Sequence, residues 1–264
     1  EEALMLNHNG EPNPATSDLA PDRSWKTNQQ LASKFRDGWE SGTLDSAATR
    51  ELLTTLRTGS ADEAATLVVD LVNRQVSPQS IYDAMHLAAG ELVMRQSGIV
   101  ALHAMTTTNA LRFLFDHVGT PQTRKLLLLQ NAAFLPLFRE AMQARGEIGN
   151  STIDSLVAVE TKEPVTVDMV FDAVGRQPLQ AAEHTMNFLA FDHRAESLMN
   201  AARRLIFLKG TDAHDYKFST AALEDYYKIS PAVRNQFMAA SMYNLKGTSA
   251  ADNRLVDRIR AALS

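Results

Sequence analysis

The stretch GTDAHDYKF, residues 210–218, sets an imidazole and an amine three positions apart. On a helix, residues at i and i+3 share a face, so His214 and Lys217 can be aimed at one target. Thr211 or Asp212 suits the N-cap position just ahead of them. Phe218 and Ala221 continue the same face, which predicts that it turns inward. An ordinary helix start would place acidic residues near the positive dipole end, but a lysine there is mildly unfavourable. A buried lysine tends to lose its proton. The neutral amine can add carbon dioxide as a carbamate, in effect a carboxylate on a long stem that a divalent metal would hold in place. His-x-x-Lys would then stand in for the Glu-x-x-His pair of di-iron bundles.

Three further histidines have related settings. His86 in YDAMHLAAGELV, His103 in GIVALHAMTTTNALRFLF and His184 in LQAAEHTMNFLAF each sit in the middle of a long apolar helical pattern. Imidazole is the commonest protein ligand for first-row metals, and bundle proteins build metal sites from side chains projecting inward from several helices. For each residue taken alone, a core histidine bonded to a backbone carbonyl or a threonine remains the competing reading. His117 lies fourteen residues (117 − 103) beyond His103, roughly 21 Å further along the same helix. There it reads as a cation complementing the helix C-terminus. His193, in FDHRAE, is surrounded by charge and reads as a surface residue, and His8 falls in an irregular arm. Asp83 lies one turn before His86, Thr106 and Thr107 lie one turn after His103, and Asp212 and Asp215 flank His214. These are the candidates to accept imidazole N–H bonds; caps and solvated charges explain them equally well.

The elements that must position these residues are helical. Residues 1–26 form an irregular arm rich in Asn, Pro, Gly and Ser. From Thr27 onward the helical period dominates: Leu31, Phe35 and Trp39 fall on one predicted helix face. Asp45 opens a helix stopped by Gly59, Ser60 and Glu63 form a capping box, and Ser77-Pro78 and Ser230-Pro231 start helices with proline in the first turn. Pro136 is placed to kink or divide its helix. SLVAVETKEP is the one stretch with a β-like pattern, a helical turn and loop being the alternative. The expectation is an all-α fold, a single compact domain of roughly twelve helices over 27–264, with a final helix at about 250–263.

Composition narrows the functional classes. The chain has 264 residues, enough for a sizeable core, and a net charge of −5 with no Lys/Arg-rich run. That balance argues against a large nucleic-acid or anionic-membrane surface. The absence of cysteine excludes disulfides, thiolate zinc sites, cysteine-held iron–sulfur clusters and a cysteine nucleophile. It fits a reducing or an oxidising compartment. No apolar run approaches the roughly 20 residues of a membrane span. A start at Glu1 and not at methionine implies a processed product, compatible with a removed export signal. No nucleophile motif, phosphate loop or cofactor fingerprint stands out.

The segments IYDAMHLAAGELVMRQSGIVALHAMTTTNALRFLF and GTDAHDYKF resemble the two-histidine helical segment and the later Asp-x-His-x-x-Lys segment of the questin oxidase-like proteins. The resemblance covers about a third of the chain directly. It implies a mononuclear non-haem iron held by His86, His103, His184, His214 and a carboxylated Lys217. It also implies dioxygen as co-substrate and an oxygenase acting on an aromatic or polycyclic small molecule. Four neutral imidazoles and one carbamate would leave iron(II) a net positive charge and one open position. Two other functions remain open beside this one: a zinc-dependent hydrolase on the same ligands, and a non-catalytic helical binding or scaffold protein with structural histidines. The partner expected is a small-molecule substrate and not a nucleic acid. Assembly into a homo-oligomer is compatible with the arm.

Overall fold

The structure, a computed structural model, describes residues 24–159, 161, 163–191 and 195–264. The described residues form twelve α-helices and no strand. In chain order the helices are α1 (Trp25–Ala32), α2 (Ser46–Thr58), α3 (Ala61–Asn73), α4 (Pro78–Arg95), α5 (Ile99–His117) and α6 (Pro121–Gln143). Then follow α7 (Val167–Ala173), α8 (Pro178–Phe191), α9 (Glu196–Lys209), α10 (Ala213–Asp225), α11 (Arg234–Ser241) and α12 (Arg254–Leu263). The all-α class is the one that the helical periodicity of the sequence predicts. Among the described residues no helix is long and apolar enough to cross a membrane.

Local sequence accounts for most boundaries. Asp45 caps α2 by accepting from the amides of Ala47 and Ala48, and Ser60 and Glu63 complete the capping box of α3. Both devices satisfy amides that a helix start would otherwise leave unpaired. Four expectations shift. The helix predicted to carry Leu31, Phe35 and Trp39 ends at Ala32, and the chain turns again at Asp37-Gly38 with Gly38 at φ +77°. The three side chains are nonetheless all buried, and Phe35 packs edge-on against Trp39 at 5.0 Å. Pro136 does not divide α6, which runs unbroken from Pro121 to Gln143. The helix expected from Pro231 begins only at Arg234. The β-like stretch, residues 155–164, follows a 3-10 turn at Ile153–Ser155, and its described residues carry no strand, which is the turn-and-loop alternative.

Contacts gather the chain into two compact units. The first holds the described residues through 88 together with 107–145; the second holds 89–106 and 146–264. In the first, α6 is the central helix and packs against α1, α2 and α3. Every residue from Leu126 to Pro136 is buried, which is the pattern of a helix surrounded on all sides. Its buried Gln130 accepts from Asn28 of α1 at 2.9 Å. Arg139 donates to the carbonyls of Leu56 and Gly59 at 2.7 and 2.6 Å, pairing carbonyls that the end of α2 leaves open.

The entry to α2 is anchored by an isolated parallel bridge between Thr43 and Val76. The Thr43 amide donates to the Gln75 carbonyl at 2.9 Å, and the Ser77 amide donates to that of Thr43 at 2.8 Å. Gly42 makes this approach feasible: a Cβ there would lie 2.5 Å from the Gln75 carbonyl oxygen and 2.5 Å from the Val76 carbonyl carbon. Both obstacles are backbone, so relief requires breaking the bridge. Gly42→Ala is therefore expected to destabilise the protein by about 1–3 kcal/mol. Urea unfolding should show a lower midpoint at an unchanged slope.

In the second unit, α8 packs against α7 and α11, and α9 against α7 and α10. Phe237, Met238, Ala239 and Ala240 on α11 are fully buried. Glu91 on α4 accepts from the Ile153 amide at 3.0 Å and pairs with Arg95 at 3.6 Å. Arg95 in turn donates to the Gly149 carbonyl at 2.6 Å, so one helical turn fixes the loop that leads to the 3-10 turn.

Candidate metal centre

The second unit brings His103 of α5 and His214 of α10 together. Their rings meet edge to face with centroids 5.5 Å apart and planes at 90°. His214 reaches this position because Asp212 caps α10, accepting from the amides of His214 and Asp215 at 2.8 and 3.2 Å. The same carboxylate lies 3.6 Å from the Nδ1 atom of His214. Asp215 is occupied elsewhere: it accepts from the Thr211 amide at 2.9 Å and pairs with Lys246 at 2.8 Å. Burial pushes its carboxyl up, but Lys246 and Thr211 outweigh that and hold it below the usual carboxylate range. Lys217 stands close enough to His103 for its charge to act on the ring. Partial burial, then the charges of His214 and Lys217, lower the pKa of His103 and favour its neutral form.

Two expectations are corrected here. His103 was expected inside an apolar helix, yet it is exposed. It lies on a stripe at helical spacing with Ile99, Ala110, Phe113 and His117, all of them exposed. The apolar character of most of that stripe made it look like core. Lys217 is also exposed, and His214 is half-buried, while Phe218 and Ala221 are the residues of α10 that turn inward. The burial invoked for a carbamate is thus absent around Lys217. Thr106 donates to the backbone carbonyl of His103 at 3.4 Å and not to its ring. Thr107 belongs to the first unit.

His184 on α8 is half-buried, with Nδ1 3.2 Å from the Met169 carbonyl oxygen. A carbonyl can only accept, so the bonded nitrogen carries the proton and Nε2 presents its lone pair when the ring is neutral. Metal-ligating histidines commonly have this arrangement. His117 shows the same bond in a purely local form, Nδ1 to the Phe113 carbonyl at 2.7 Å within its own helix. It also stacks on Phe113 at 4.1 Å. His8 and His193 lie outside the described residues.

His86 belongs to the first unit and is 1% exposed on α4. Tyr82, one turn earlier, meets it edge-on at 6.2 Å, and Arg112 of α5 stacks over the Tyr82 ring at 4.6 Å. Burial, aided by the Arg112 charge, pushes the His86 imidazole down to about 3. Asp83, the acceptor expected for His86, takes a bond from the Gln79 amide at 2.7 Å. Gln79 accepts from Arg112 at 3.0 Å, and Arg112 also pairs with Asp116 at 3.0 Å. A line of alternating charge and carboxamide therefore runs beside His86.

The donor set fits a metal in part. With nitrogen–metal bonds of about 2.1 Å, two imidazoles on one ion hold their ring centres roughly 5 Å apart. His103 and His214 have that spacing. Among the described residues, however, no group of three or more His, Asp or Glu side chains is placed to hold an ion. The closed five-ligand shell is not assembled among the described residues. No family model matches the chain, no curated protein matches it, and no solved structure does.

Proposed function

We propose that the protein is a metal-dependent oxidoreductase that takes iron(II) on His103 and His214. The observation that carries this reading is the 5.5 Å perpendicular pairing of two imidazoles from separate helices. Neutral imidazoles suit iron(II) and its first-row neighbours, and the lowered pKa of His103 keeps that ring neutral as the pH falls below the ordinary imidazole value. Iron held by few protein ligands supplies dioxygen chemistry at its remaining positions. The protein's own contribution is to orient the rings: Asp212 sets the first turn of α10 and with it His214, while the Met169 carbonyl fixes the tautomer of His184. An aromatic or polycyclic small molecule is the proposed substrate class, on the resemblance of GTDAHDYKF and the His86–His103 segment. Lys217 is exposed, and a carbamate on it is not part of this proposal.

The test is anaerobic titration with iron(II), followed by addition of nitric oxide. A stoichiometric site with the spin signature of an iron nitrosyl supports the proposal. Protein that refuses iron(II), or that takes only zinc, overturns it. A second reading, a non-catalytic helical binding protein, is favoured by the lack of a three-residue ligand group among the described residues. It predicts no metal uptake and an unchanged fold in His103→Ala.

A further inference from the structure

Helix α12 is bound to the second unit at its first turn. Asn253 caps it, accepting from the amides of Leu255 and Val256, and donates from its own side chain to the carbonyls of Phe207 and Gly210. Lys209 donates to the Ala250 carbonyl at 2.6 Å and pairs with Asp252 at 3.0 Å. Beyond this base only Val256 is buried. Leu255, Ile259 and Leu263, at i, i+4 and i+8, are 56, 49 and 83% exposed. At 100° per residue these three and Ala262 form one apolar arc, and Arg258 and Arg260 fall on its two margins. Phe207 of α9, 71% exposed, adjoins the base, and the exposed Arg203 and Arg204 lie one turn before it. The helix carries three arginines against one aspartate, whereas the whole chain carries −5.

We propose that α12, with Phe207 and its neighbouring arginines, docks on an anionic bilayer surface. A membrane interface offers an apolar layer bordered by phosphates, which complements an apolar stripe bordered on both sides by guanidinium groups. The stems of Arg254 and Arg258 extend along the apolar surface while their heads reach the headgroups. Arg260 keeps its pairing with Asp252 at 2.9 Å and so holds the helix at its base. The rest of the acidic chain is repelled by the same surface, so attachment is oriented and sensitive to salt. A chain-wide negative balance excludes a large membrane surface but not this local one.

The experiment is co-sedimentation with vesicles of phosphatidylcholine alone, and with about 30% phosphatidylserine, alongside vesicle-free controls. Expected is binding to the anionic vesicles only. Added salt, Ile259→Asp, or the double change Arg254→Glu and Arg258→Glu should each reduce it, the double change by about tenfold or more. All three positions are exposed, so circular dichroism should show the fold retained. Three results would overturn the proposal. One is no binding to either vesicle. Another is binding indifferent to these variants. The third is vesicle-independent self-association abolished by Ile259→Asp, which would assign the face to a second copy of the chain.

Discussion

At about pH 5 the native protein should be about 2 kcal/mol less stable than at neutral pH on account of His86 alone, and near pH 3 about 4 kcal/mol less stable. The folded imidazole is pushed down to about 3 from an ordinary value of 6.5. Between those values the unfolded chain binds a proton that the native state excludes. Stability is therefore full above about pH 6.5 and drains away as pH falls toward 3. Partially buried His103 shifts in the same direction and adds to the slope. The capping carboxylates Asp45 and Glu63 and the paired Asp252 are held below their usual range, and their contribution is lost only in more acidic solution. The interval from neutrality to about pH 5 thus isolates the histidines. Urea unfolding across it should show a steep fall in the wild type and a much shallower one in His86→Gln. Parallel slopes in the two proteins would mean that His86 is not held neutral.

Loss of either ring of the histidine pair should cost metal affinity far more than stability. Removing one of two protein ligands from a divalent ion is expected to weaken binding by at least about tenfold to a hundredfold, the loss known for supporting residues alone. Titration of His103→Ala and His214→Ala with cobalt(II), monitored by its absorption, reads the loss directly. Both rings lie partly in solvent, so unfolding midpoints should move little. His117→Ala is the control: its Nδ1 is spent on the Phe113 carbonyl within the same helix, and metal binding should be unchanged. Equal affinity in all three variants would remove the pair from any metal centre.

Much of the helical layout was legible because its signals are local. Asp45, Ser60 with Glu63, and Pro78 act within a turn of themselves, and their helices start where the residues require. The early end of α1 was obscured because buried Leu31, Phe35 and Trp39 keep a helical spacing although Gly38 bends the chain between them. The site was legible in residue type and not in geometry. Nothing local tells that His103 and His214, on helices far apart in sequence, would come to 5.5 Å. His184 is oriented by a main-chain carbonyl, which carries no side-chain signature. Lys209 stands just ahead of the GTDAHDYKF motif. Its side chain is 11% exposed and ties down the segment before α12; the only hint in the sequence was the aspartate at 252.

That tie also sets how the molecule comes apart. A helix secured at one end by a lysine and an asparagine can detach without disturbing the packing of α8 on α11. Its amides then belong to a small cooperative unit of their own, which opens at a fraction of the free energy of global unfolding. Lys209 and Asn253 act as the latch of that unit, and its strength sets how often the last helix visits an undocked state.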